Sequence, residues 1–251
     1  MAGHSKWKQI KRQKGVADAR RGALCTKLGR EITMAVRQGG GPDPDGNPRL
    51  RLAIMKAREN NMPNDIIDRA IAKASGATDA SALEEVTYEG YAPGGAAVMV
   101  EVMTDNRNRT VGEVRNLFNR SGGSLAEAGS VAWVFNTRGV ITVSLESGVD
   151  ADEAALAAVD AGAEDFESDE EALSIYTRPE DLENVRRALT EKGVAIASSE
   201  IERVPTTTVT LDEKDAVQTL RLLEKLEDLD DVQKVYSNAD FPDSVLAKYS
   251  A

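Results

Sequence analysis

Cysteine and histidine are all but missing, since Cys25 and His4 stand alone in 251 residues. A single thiol closes no intrachain disulfide and offers no second sulfur to a zinc site, which fits a reducing compartment. His4 lies in a charged N-terminal stretch, and no base stands at a recognisable spacing from it or from Cys25, so nothing resembles an activated nucleophile. A Walker loop, a dinucleotide fingerprint and a His/Cys metal cluster are all lacking. The glycines Gly39 to Gly41 precede Pro-Asp-Pro-Asp, and acids make poor phosphate cradles. The expectation is a non-enzymatic protein with no catalytic residues, no metal, no cofactor and no small-molecule substrate. Also lacking is any run of about 18 apolar residues that would cross a bilayer. The opening MAGHSKWK has no apolar stretch of a secretory signal, so no membrane partner and a cytoplasmic location are expected.

What is present is charge, unevenly placed. The chain carries a formal −11, with 31 Lys and Arg against 42 Asp and Glu. Residues 1–75 hold 16 of the basic and 7 of the acidic residues, a net of +9, which leaves −20 for the remainder. Within this head, Gly3 to Arg37 alone has ten cations against Asp18 and Glu31. A basic head on an acidic body is the footprint of polyanion binding at one end, with the body repelled from phosphate. The blander reading is a head that docks on its own acidic body.

Periodicity divides the chain further. Leu24, Leu28, Ile32, Ala35 and Val36 make one helical stripe, with Arg20, Lys27, Arg30 and Arg37 roughly opposite and Met34 among the cations. Gly39 to Pro48 breaks the helix and reads as a mobile loop. A second helix runs from Pro48 to about Asn60, and a third follows Pro63 and ends at Gly76. From residue 84 the period changes to that of strands. Val86–Tyr91, the apolar Ala96–Met103 and Ser130–Phe135 read as strands, and Thr110–Arg120 as a helix in which Thr110 and Glu113 have capping-box spacing. Residues 139–204 then show the order βαββαβ of a ferredoxin-like sandwich. After them, Thr206–Leu211 reads as a strand, Glu213–Leu229 as an amphipathic helix and Val232–Ser237 as a last strand. Neither flanking piece makes a covered layer alone. The fold class predicted is therefore α+β multidomain: an N-terminal three-helix domain and two α/β sandwich domains, the ferredoxin-like one inserted into the other. The predicted domains are residues 1–76, residues 84–136 with 206–240, and residues 139–204.

Four stretches, MAGHSKWKQIKRQKGVADARRG, ENNMPNDIIDRAI, YEGYAPGGAAVMVEVMTDNRNRT and GSVAWVF, occur in an order and at a length that resemble the YebC/PmpR family from end to end. The resemblance implies three domains, one helical and two α/β, and a probable DNA-binding transcriptional regulator. It equally implies relatives that act in translation: mitochondrial translational activators, and bacterial members associated with ribosomes and with passage through proline-rich stretches. DNA is thus the partner expected first, with ribosomal or transfer RNA as the alternative. A scaffold whose acidic body binds a basic partner protein is a third reading.

The candidate nucleic-acid-binding residues follow from charge and setting. Lys6, Lys8, Lys11, Arg12 and Lys14 surround Trp7, a ring that can stack on a base or pack on the first helix. Arg20, Arg21, Lys27 and Arg30 continue the basic face. In the loop DNRNRT, Arg107 and Arg109 lie beside a helix N-terminus, where they either grip phosphate or pair with nearby acids while Asn106 or Asn108 caps. Cys25 reads as core. The acidic runs Glu164–Glu171 and Glu224–Asp231 read as solvated surface that deters non-specific contact.

Overall fold

The computed structural model describes residues 18–76, 83–145, 150–169 and 172–250. Its N-terminal part is three helices: α1 (Asp18–Gln38), α2 (Pro48–Glu59) and α3 (Asn64–Gly76). Leu28, Ile32, Ala35 and Val36 of α1 are buried against Leu50, Ala53, Ile54 and Ala57 of α2 and Ile67 and Ala74 of α3, with Leu24 and Cys25 partly buried on the same core. Met34, off the stripe, is fully buried as well.

The glycine-rich connection between α1 and α2 departs from the mobile loop that its composition suggests. Asn47 is fully buried and donates through Nδ2 to the carbonyls of Ala35 (2.7 Å) and Gly41 (2.8 Å). Its Oδ1 accepts the amide of Leu50 at 3.0 Å and so caps α2, whose first residue Pro48 has no amide to satisfy. One side chain ties the last turn of α1 to the first turn of α2. Gly39 is required there, because a Cβ would stand 2.3 Å from Asn47 Oδ1.

A four-stranded antiparallel sheet follows, in the order β3–β1–β2–β9, from β1 (Glu84–Tyr91), β2 (Ala97–Thr104), β3 (Ser124–Leu125) and β9 (Val232–Ser237). Helices α4 (Arg107–Arg120) and α7 (Glu213–Glu227) supply Val114, Phe118, Leu220, Leu223 and Leu226 to its core. The central strand β2 is almost wholly buried: Val98, Val100 and Val102 face these helices, while Ala97 and Met99 pack with Val131, Val134, Phe135 and Tyr236. Each such fully buried aliphatic contributes about 1.5–3 kcal/mol. The C-terminal helix α8 (Asp243–Ser250), which the sequence reading did not include, closes this core with Val245 and Leu246.

Between β3 and β9 the chain builds a second antiparallel sheet, β5–β6–β4–β7, from β4 (Phe135–Ser144), β5 (Asp165–Ser168), β6 (Ala172–Thr177) and β7 (Ile196–Pro205). With α5 (Ala151–Asp160) and α6 (Leu182–Glu191) the order is βαββαβ, over a core of Ile141, Val143, Ala158, Leu173, Ile175 and Leu189. Lys234 of β9 meets Glu200 of β7 at 2.6 Å, and Arg203 of β7 meets Glu101 of β2 at 3.3 Å, so the two sheets also touch through ion pairs.

Three local expectations change. Ser130–Phe135 is no strand: Ala132–Val134 form a 3₁₀ turn, and β4 runs on without a break from Phe135. Buried Glu89 accepts the amides of Gly129 (2.7 Å), Val131 (2.7 Å) and Ala132 (2.9 Å), donors that a strand would have offered to a neighbour. Burial alone would raise the Glu89 carboxyl, but these three amides outweigh it and hold the group below its ordinary range. Helix α4 starts one turn before Thr110, capped by Asn106, whose Oδ1 accepts the amide of Arg109 at 3.0 Å. The strand expected over Thr206–Leu211 is only β8 (Val209–Thr210), paired in parallel with β10 (Ala239–Asp240).

Candidate nucleic-acid interface

Two cations of the basic face of α1 are used within the molecule. Lys27 Nζ donates to the carbonyl of Glu227, the last residue of α7, at the negative end of that helix dipole. Arg30 reaches the Asp231 carboxylate at 2.6 Å and the carbonyls of Asp230 and Met103. Arg49, at the start of α2, pairs with Glu85 of β1. The basic head therefore does dock on the acidic body, with Lys27, Arg30 and Arg49 among the cations that make the contact.

Asp231 is the hub of that contact. Its side chain is 5% exposed and receives Arg30, Arg109 at 2.7 Å, Thr104 Oγ1 at 3.1 Å and Thr110 Oγ1. Burial by itself would raise its pKa. The bonds from Thr110 and Arg109, the charge of Arg30 and the bond from Thr104 outweigh that and hold the carboxyl at about 2. The run Glu224–Asp231 thus ends in a buried, fully engaged carboxylate rather than in solvated surface, because the β2–α4 loop and α1 both converge on it.

This hub separates the two arginines of the loop DNRNRT. Arg109 also meets Asp105 at 2.8 Å, and its guanidinium is held above its ordinary range first by the bond to Asp231 and then by that to Asp105. Arg107 is 62% exposed, with Glu84 at 3.7 Å. Of the other candidates, Lys6, Trp7, Lys8, Lys11, Arg12 and Lys14 lie outside the described residues, and Arg20 and Arg21 fall in the first turn of α1.

The head and the body also leave a cleft of about 430 Å³ between them. Its cationic lining comes from Arg37 of α1 and from Arg69 and Lys73 of α3, and its apolar lining from Ile66 and Ala70 of α3 and Leu83 before β1. Thr26, Gly29 and Thr33 present the small-residue side of α1 to it, and Arg30 and Asp105 border it while engaged with Asp231 and Arg109. The sequence reading singled out neither Arg69 nor Lys73. Their signal was the i, i+4 spacing on α3, with Ile66 and Ala70 at the matching apolar positions, but only the packing of α1 beside α3 makes one wall of them.

A basic three-helix head docked on a body of two α/β sandwiches defines the class as a three-domain α+β protein. The family model described as the TACO1/YebC protein N-terminal domain matches residues 5–77, and the one described as the TACO1/YebC second and third domain matches residues 83–239. The chain belongs to the TACO1/YebC family. It is 55% identical over 249 residues to a probable transcriptional regulatory protein of Dehalococcoides mccartyi, covering 99% of this chain and 98% of the relative. A protein of the same name from Chloroflexus aurantiacus is 54% identical over 252 residues, covering all of both chains. The crystal structure of a conserved hypothetical protein from Aquifex aeolicus superposes with a TM-score of 0.81 at 47% identity, over 90% of this chain and 92% of that one. No helix among the described residues is long and apolar enough to cross a membrane.

Proposed function

We propose that this chain is a non-enzymatic regulator that binds nucleic acid through its basic N-terminal domain, with DNA as the target. The observation that carries the reading is the charge split, +9 over residues 1–75 against −20 over the rest. Docking engages Lys27, Arg30 and Arg49, all in or after α1, and five further cations of the head, Lys6, Lys8, Lys11, Arg12 and Lys14, precede that helix in the sequence. The name carried by the relatives, probable transcriptional regulatory protein, supports a regulator.

Binding of a labelled DNA duplex, followed by fluorescence anisotropy across a salt series, tests this. If the N-terminal lysines and arginines neutralise about five phosphates, log affinity falls against log salt with a slope of about −4.5 on duplex DNA. Replacing Lys6, Lys8, Lys11, Arg12 and Lys14 together by glutamine should flatten the slope to near zero. A duplex affinity unmoved by that replacement or by salt would sink the proposal, and binding of ribosomes in place of duplex DNA, lost on that same replacement, would redirect the target to RNA.

A further inference from the structure

The cleft between head and body has three properties that its neighbours do not explain. First, its cations are not all consumed by structure. Among the described residues Lys73 has no ion-pair partner and Arg69 pairs only with Asp65 of its own helix, an exposed i, i+4 pair of the kind that contributes little and exchanges readily. Second, beside these cations lies an aliphatic surface from Ile66, Ala70 and Leu83. Third, Gly29 stands in the middle of α1 and lines the cleft, although a Cβ there would meet nothing within 4 Å. Glycine inside a helix is costly relative to alanine. Packing does not demand it here, and what its bareness provides is open width in the cleft.

We infer that this cleft holds one unpaired nucleotide of a bound nucleic acid strand, a reading that rests on nucleic-acid binding by the N-terminal domain. The phosphate lies against Lys73 and Arg69, and the base lies flat on Ile66, Ala70 and Leu83, its edge reaching the Gly29 side of α1. A volume of about 430 Å³ falls within the range of small-ligand sites. A cleft of about 430 Å³ has room for a single nucleotide rather than a stacked base pair, so the occupant is an unpaired base, taken by charge and surface rather than by edge readout. The approach is along α1, from its N-terminal end, where the basic segment joins the helix, to the mid-helix face of Thr26, Gly29 and Thr33 that lines the cleft.

The test compares two labelled probes with the full chain: a blunt DNA duplex and the same duplex with a short single-stranded overhang. The unmodified protein should bind the overhang probe about tenfold more tightly, the size expected from covering one face of a base with aliphatic side chains. Gly29→Leu, which fills the cleft without changing charge, and Lys73→Glu should each bring the overhang probe down to the blunt-duplex affinity. Gly29→Leu should leave the melting temperature unchanged or raised, which distinguishes blocking from unfolding. Lys225→Glu, the same charge change on the body, should leave the preference intact. An overhang preference that is missing in the unmodified chain, or that survives Gly29→Leu and Lys73→Glu, overturns the cleft site while leaving duplex binding by the head untouched. Absence of binding to both probes overturns the proposed function itself.

Discussion

A buried carboxylate with two arginines on it decides the chemistry at the residue scale. Asp231 has lost its water, and an aspartate without water stays charged only if charge and hydrogen bonds replace it. Arg30 and Arg109 supply the charge; Thr104 and Thr110 supply hydroxyls. Arg107 and Arg109 are two residues apart in one loop and look alike in sequence, yet their consequences differ. Arg109→Ala should lower the melting temperature by a few degrees, because it removes an ion pair and a hydrogen bond from a buried anion. Arg107→Ala should leave it unchanged, since an exposed contact at 3.7 Å contributes next to nothing. Differential scanning calorimetry of the two single variants checks this, and equal shifts would refute the assignment.

At the scale of elements, the connections carry more order than their composition implies. Gly39–Pro48 is rich in glycine, proline and aspartate, the chemistry of a loop, but Asn47 converts it into a fixed joint between α1 and α2. Asn47→Ala removes a helix cap and leaves the carbonyls of Ala35 and Gly41 without their donor. The expected cost is about 2–3 kcal/mol in urea unfolding at unchanged m-value. Asn47→Asp keeps the cap but donates nothing, so it should fall between the two; full recovery with Asp would mean that the cap alone matters. The segment after Gly129 shows the same physics. A single buried acceptor, Glu89, gathers three amides and turns an apolar, strand-like sequence into a 3₁₀ turn. In both cases one polar side chain, far from the segment in sequence or hidden at its end, overrides local propensity.

For the whole molecule the question is how a head of +9 and a body of −20 stay together without spending the head's charge. At Asp231 docking sets Arg30 against a carboxylate whose side chain is only 5% exposed, where salt screens little. It also makes the contact acid-labile. The Asp231 pKa of about 2 lies below its ordinary 3.8, so the stability it adds is full above about pH 4 and is lost as the pH falls from there towards 2. That stability is about 2 kcal/mol in all, shared between Thr110, Arg109 and Thr104 within the body and Arg30, whose share joins the head to it. Because the three helices have their own core, acid should part the head from the body before either melts. Small-angle scattering should show a larger radius of gyration between pH 4 and pH 2 while helical circular dichroism persists. Asp231→Asn should give the same expansion at neutral pH, and an unexpanded, equally stable Asp231→Asn would show that the contact does not depend on this charge.

By itself the sequence determined what periodicity and composition can carry: the stripe of α1, the apolar central strand β2, the βαββαβ order between residues 139 and 204, and the concentration of positive charge at one end. These are local or additive properties, and burial of an apolar face gives each a regular spacing to read. Only the tertiary structure decided which polar groups would be buried and with whom. Arg30 and Asp231 lie 201 positions apart, and nothing in either neighbourhood distinguishes them from solvated charge. The cleft of Arg69, Lys73 and Gly29 likewise exists only where α1, α3 and the chain before β1 come together. Charge is visible in a sequence, but its partner and its solvation are properties of the assembled fold, and those two quantities separate a structural arginine from one left for a ligand.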